Sequence, residues 1–216
     1  MGYIRPAAGD VLRICPRKLS EVATSQLHAG LGDEAARLAA VRRYEILDAP
    51  SDGTLDDIAE LAAITCGTPI ATVTIVDTDR VWFAAARGLP GLTEVSTHPG
   101  LCASAYLADA PYVVNDALVD PRTIDHPLVH GELGLRFYAA APIITSEGFR
   151  LGTVNVIDHM PRQPTEAQTD VLLGLAKLAA RHLDLRLAAI HAVRVERQLR
   201  AEAEERRRSC TCAAPS

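Results

Sequence analysis

The side chains able to do chemistry gather between Leu101 and Pro142: Cys102, Ser104, Asn115, Asp116, Asp120, Arg122, His126 and His130. A cysteine beside a helix N-terminus has its thiolate favoured, which makes Cys102 a reactive thiol or a polar group in a pocket. Free cysteine is also a common small core residue, and that second reading stays open. Arg122 is suited to gripping an anionic ligand through its planar fork, with Asn115 and Asp116 orienting it. The same acids are equally suited to closing turns, with Arg122 paired to one of them.

Three histidines, His98, His126 and His130, raise the question of haem or metal. His126 and His130 stand four apart, but Pro127 and Gly131 predict a loop there rather than a helix, so no metal-binding pattern forms. Cys210 and Cys212 supply two soft ligands in a tail, short of the four a tetrahedral site needs. No metal site is expected. With three Phe, five Tyr and one Trp in the chain, aromatic positions carry information. Trp82 and Phe83 alternate, so one faces a core and the other looks across a sheet toward a pocket. Phe137 and Tyr138 are candidate pocket walls on the same grounds.

Those residues need elements to hold them. Helical spacing predicts a helix from Asp33 to the Asp48-Ala49-Pro50 stop and another over Thr54–Cys66, with Gly67 ending it. The run from Pro69 to Asp77 is β-branched and alternating, placing Ala71, Val73 and Ile75 on one face and Thr72 and Thr74 on the other. Thr78-Asp79 turns it into Arg80–Gly88, a hairpin partner. A second hairpin joins Arg136–Thr145 to Arg150–Asp158 across Ser146-Glu147-Gly148. The near-repeat of Thr72-Val-Thr-Ile-Val-Asp77 and Thr153-Val-Asn-Val-Ile-Asp158 predicts neighbouring central strands, with Thr153 and Asn155 on the face toward the pocket. Between the hairpins lie a short helix near Gly100–Asp109, a short strand Tyr112–Val114, and a connection long enough to be functional. Beyond Pro164 a helix capped by Thr165 should reach about Arg206, longer than a modest sheet can cover, so its end projects or pairs with a second copy.

A chain of 216 residues, 48% hydrophobic, is sized for one core with appendages. A net charge of −5 argues against a generic nucleic-acid surface. Five cysteines without scaffold spacing fit a reducing cytoplasm, and no run approaches the roughly 20 apolar residues of a membrane span. Residues 1–32 lack a sustained period and read as an arm.

The ordered series Arg37 to Asp48, Val76-Asp-x-Asp-Arg-x-Trp-Phe83, Leu101-Cys-Ala-x-Ala105, Asn115-Asp-Ala117, Asp120-Pro-Arg122, Pro127-Leu-Val129, Arg136-Phe-Tyr-Ala139 and Gly152-Thr-x-x-Val-Ile-Asp158 resembles the GAF domains of bacterial signalling proteins. The resemblance covers roughly residues 33–185, leaving 186–216 as a helical extension with a frayed tail. It implies an α+β fold with a central antiparallel sheet, terminal helices on one face and a loop-covered ligand pocket on the other. It further implies a small-molecule effector, signalling through a dimeric C-terminal helix, and an output protein as partner; the cofactor stays unknown. The ligand-binding residues expected are Phe83, Cys102, Ser104, Asn115, Asp116, Arg122, Phe137, Tyr138 and Asn155. Where the resemblance implies a histidine two residues after the cysteine, this chain has Ser104. An enzymatic branch of the family, the free methionine-(R)-sulfoxide reductases, offers Cys102 as its catalytic group. Its resolving cysteines would fall near Leu92 and His126, neither of which is Cys, so the cycle lacks its second sulfur. A third reading is a ligand-free dimerisation module.

Overall fold

The computed structural model describes residues 34–97, 101, 105–107 and 110–211, the side chains of 209–211 excepted. The chain divides into two compact units, Met1–Ala36 and Arg37–Ser216, and the sheet belongs to the second. The arm expected over 1–32 lies outside the described residues.

Helix α1 occupies 34–43 and α2 Thr54–Cys66. Gly67 ends α2 in the left-handed region at φ 64, its N–H on the Ile64 carbonyl at 3.2 Å. Six antiparallel strands follow: β1 (Ile70–Val76), β2 (Arg80–Arg87), β3 (Glu94–Ser96), β4 (Tyr112–Val114), β5 (Phe137–Ile144) and β6 (Arg150–Asp158). Their order across the sheet is β3-β2-β1-β6-β5-β4, so the two hairpins β1-β2 and β5-β6 meet along β1 and β6 at its centre. The near-repeated strands are therefore neighbours, with Thr72 opposite Asn155 and Thr74 opposite Thr153. Gly152 permits that approach: a Cβ there would stand 1.8 Å from the Thr74 carbonyl oxygen.

Strand alternation sorts the side chains into two cores. Toward the helices, Val73, Ile75, Phe137, Val154 and Val156 join Leu172, Leu175 and Leu183. Each such aliphatic burial is worth about 1.5–3 kcal/mol. On the opposite face, Ile70, Tyr138, Ala140 and Ile157 are covered by Leu101, Val129 and Leu135.

Two helices complete the unit. Pro127–His130 forms a single turn, α3, where a loop was expected. Pro127 sits at its start, where a missing N–H costs nothing, and His126 caps it by accepting from the Leu128 N–H at 3.1 Å. Helix α4 runs 46 residues, Glu166–Thr211, about 69 Å at 1.5 Å per residue. A reciprocal capping pair starts it: the Gln168 N–H donates to Thr165 Oγ1 at 3.2 Å, and the Thr165 N–H to Gln168 Oε1 at 3.0 Å. Its buried stripe ends at Leu187, and beyond it Val193, Val195 and Leu199 are exposed. Among the described residues no helix is long and apolar enough to cross a membrane.

Candidate functional site

A cavity of about 220 Å³ lies on the sheet face opposite the helices. Thr72, Tyr138 and Ile157 come to it from the central strands, and Val81, Phe83 and Val95 from the β2-β3 edge. Leu89, Leu92 and Ser96 near that edge, Leu101, the His126–Leu128 segment, Leu133 and Leu135 complete its described lining. No described lining residue is Asp, Glu, Lys or Arg, and the polar ones are Thr72, Ser96, His126 and Tyr138.

Under the cavity the sheet carries a buried polar ladder. Tyr138 donates its hydroxyl to Asn155 Oδ1 at 2.9 Å, and the Asn155 amide donates to Thr72 Oγ1 at 2.9 Å and Thr74 Oγ1 at 3.3 Å. Thr74 and Thr153 share a further hydroxyl contact of 2.8 Å. Among the described residues no buried side-chain nitrogen or oxygen lacks a partner, so each member of the ladder is held by at least one bond. Asn155 thus fixes two cavity groups, Thr72 and Tyr138, from behind.

A second set of contacts leaves the cavity edge for the helices. Tyr106 packs with Val81, a lining residue, and the Arg37 guanidinium lies 4.9 Å from the centre of the Tyr106 ring. Arg37, only 5% exposed, also donates to the Val76 carbonyl at 2.7 Å. Further along the same N-terminal segment, the Tyr44 hydroxyl donates to Asp184 of α4 at 2.8 Å, and Arg186 donates to the Tyr44 and Glu45 carbonyls. Burial first, and then the Asp184 carboxylate, push the Tyr44 phenol from 10.0 to about 12.

The other expected residues are placed differently. Phe137 faces the helix-side core, because strand alternation sends it opposite to Tyr138. Asn115, Asp116 and Arg122 are absent from the lining. Arg136 grips Asp116 with two bonds of 2.8 Å, which holds that carboxyl below its ordinary range. Arg122 donates to Asp120 and, at 2.7 Å, to the Val113 carbonyl, and lies 4.6 Å from the Tyr112 ring centre. Its hydrogen bond likewise lowers the Asp120 carboxyl. These groups build the 115–126 turn. Cys102, Ser104 and His98 lie outside the described residues, as does Cys212. Cys66 is a free, buried thiol on α2, raised by desolvation.

His130 contacts the Ile124 carbonyl and His159 the Leu133 carbonyl at 2.7 Å. Among the described residues no cluster of His, Cys, Asp or Glu could hold a metal ion.

Thr72 was legible as a site residue, since it shares a face with Thr153 and Asn155 in the alternating pattern. Leu133 and Leu135 were not, because they occupy an irregular segment around Gly134 at φ 55 where no period marks a face.

Comparison with known proteins adds the wider context. The family model described as GAF domain matches residues 51–183. A cyclic di-GMP phosphodiesterase of Pseudomonas aeruginosa is 37% identical over 163 residues, covering 75% of this chain and 26% of that protein. The chain thus spans about a quarter of that relative's length. Among solved structures, the GAF domain of a phosphoenolpyruvate-protein phosphotransferase from Coxiella burnetii superposes with a TM-score of 0.52 at 20% identity, covering 74% of this chain and 96% of that one. The free methionine-R-sulfoxide reductase of Neisseria meningitidis, solved with its substrate, gives 0.51 at 21% identity, over 72% and 89%.

Proposed function

The chain belongs to the GAF domain family, and we propose that it is a regulatory module whose cavity over Thr72 and Tyr138 binds a small molecule and whose helix α4 carries the response. The observation that carries this reading is the position of the cavity. It is walled by the β2-β3 edge, where Tyr106 meets Arg37, and Tyr44 and Glu45 further along that segment hold α4. A ligand that displaces Val81 or Phe83 at this edge shifts the Tyr106 ring that Arg37 stacks on, and so biases how α4 is held.

Two copies pair through α4. Val171, Leu178, Leu185 and Leu199 are 39%, 49%, 71% and 59% exposed. With Ala192 they recur every seventh residue, the repeat of a left-handed helical pair. The output is an activity in a partner. The likeness to a quarter of a cyclic di-GMP phosphodiesterase supports regulation of that class of enzyme rather than catalysis of it by this stretch.

The reductase reading finds less support. Free methionine sulfoxide is a zwitterion, and the described lining offers neither a carboxylate nor a guanidinium to receive it. The one described buried free thiol, Cys66, stands on α2, on the other side of the sheet. Assay of the wild type and Cys102→Ser for sulfoxide reduction separates the two: no turnover in either is expected, and turnover lost in the variant would reverse the reading. Native mass spectrometry of protein purified from its own host tests the binding and pairing together. A dimer retaining a small molecule is expected; an empty monomer would count against the proposal.

A further inference from the structure

Resting on that reading, we infer the chemical class of the ligand: a compact, uncharged, mainly apolar molecule carrying one hydrogen-bond acceptor, which sits on Thr72. Three observations lead there. The first is size. At about 220 Å³ the cavity is somewhat larger than an apolar cavity of about 150 Å³ that takes benzene. It suits one ring with a substituent or two small rings, and a tetrapyrrole needs several times the room.

The second is charge. Phe83, Leu101, Leu133, Leu135, Tyr138 and Ile157 surround the space, and no described lining residue is Asp, Glu, Lys or Arg. The two arginines nearest in sequence to this wall, Arg122 and Arg136, are held by Asp120 and Asp116 outside the lining. A phosphate or carboxylate entering this site would lose its hydration and find neither Lys nor Arg in the described lining, so anionic ligands are selected against.

The third is a directed polar group, Thr72, on the central strand β1; Ser96 and His126 also line the cavity, each engaged with partners of its own. Thr72 lines the cavity and is 2% exposed. Its hydroxyl accepts from the Asn155 amide at 2.9 Å, and a threonine hydroxyl has one proton to donate besides its lone pairs. No hydrogen bond from that hydroxyl to another described residue uses the proton. Asn155 is fixed in turn by Tyr138, so the amide faces Thr72 and the hydroxyl proton is directed elsewhere. A carbonyl, ether or phenol oxygen above Thr72 satisfies it, whereas a ligand with only donors does not.

The test uses the full chain with isotopically labelled Leu, Ile and Val methyl groups. It is titrated with acetophenone, indole and cyclohexanone as neutral probes, and with benzoate and cyclic AMP as anions, each followed by methyl NMR. Saturable shifts at the Leu135 and Ile157 methyls are expected from acetophenone and cyclohexanone, with indole, which lacks an acceptor, at least several-fold weaker. Benzoate should bind at least tenfold more weakly than acetophenone. Thr72→Val should weaken acetophenone about fivefold, the worth of one neutral hydrogen bond, while Thr72→Ser restores it. If Thr72→Val proves too unstable, the acetophenone–indole difference in the wild type carries the same information. Benzoate or cyclic AMP binding at these methyls as tightly as the neutral probes would overturn the ligand class while leaving a sensory role standing. No saturable shift from any neutral probe would overturn it as well. Neutral binding that leaves α4 unchanged would uphold the class and count against the sensory role instead.

Discussion

The Tyr138 hydroxyl on β5 donates to Asn155 Oδ1 on β6 at 2.9 Å, and this bond joins the cavity wall to the polar ladder at the centre of the sheet. Both residues are buried, at 1% and 0% exposure, so neither finds water if its partner is removed. Tyr138→Phe should therefore cost about 1–3 kcal/mol, the desolvation of an orphaned amide oxygen. Asn155→Val should cost more, because Asn155 also serves Thr72 and Thr74. Urea unfolding of the two variants checks the order: equal and negligible losses would show that the ladder is not closed in solution.

The Tyr44–Asp184 contact gives a pH signature. Burial and the Asp184 carboxylate raise the Tyr44 phenol from 10.0 to about 12 in the folded chain. The folded state therefore holds its proton more tightly than the unfolded state. The contribution is fully present below pH 10 and is lost as pH rises from 10 toward 12. Other tyrosines titrate in the same range, so the informative measurement is the difference between wild type and Tyr44→Phe. The gap in urea midpoint should shrink between about pH 9 and about pH 11.5, and a gap that stays constant would place Tyr44 in water.

We propose that Arg122 acts on the loop rather than on the ligand. Its side chain is 49% exposed, so removing its ion pair should change global stability by less than about 1 kcal/mol. Its bond to the Val113 carbonyl and its place beside the Tyr112 ring tie the 115–126 turn to β4. Arg122→Ala should speed hydrogen exchange at Thr123 and Ile124 while acetophenone affinity stays within about twofold. A tenfold loss of affinity would restore Arg122 to the site.

The α4 stripe predicts its own disruption. Leu178→Glu with Leu185→Glu places charges on exposed positions of the seven-residue repeat and away from the buried core stripe. Sedimentation velocity should show a dimer for the full chain and a monomer for the double variant, with the unfolding midpoint of the domain retained. A wild-type monomer at tens of micromolar would rule the pairing out.

Much of the fold was readable before it was known, and where the described cavity lining differs from the residues expected, the difference has physical causes. The Thr72-x-Thr74 and Thr153-x-Asn155 alternation identified the central strands and their polar face, because a two-residue period is unambiguous in β-branched segments. Trp82 and Phe83 divided between core and cavity for the same reason. Asn115, Asp116 and Arg122 drew attention by being polar and clustered, but such residues serve turns as readily as ligands. Here Asp116 pairs with Arg136, and Arg122 with Asp120 and the backbone. Phe137 and Tyr138 both looked like pocket walls; only strand register separates them, and it turned on which neighbour faces the helices. The leucines of the 131–135 segment belong to irregular backbone, where side-chain direction follows from tertiary contacts that no local pattern encodes.

Hydrogen exchange of the full chain with and without saturating acetophenone bears most directly on the claim that cavity occupancy is transmitted to α4. Slower exchange is predicted at Leu101 and in 126–135, which wall the cavity, and at Tyr106 beside it, together with altered exchange in 44–46 and 184–195, where Tyr44 and Glu45 meet Asp184, Arg186 and Arg194. Protection at the cavity wall with no change along α4 would contradict the account, and the cavity would then be a binding site without a signal.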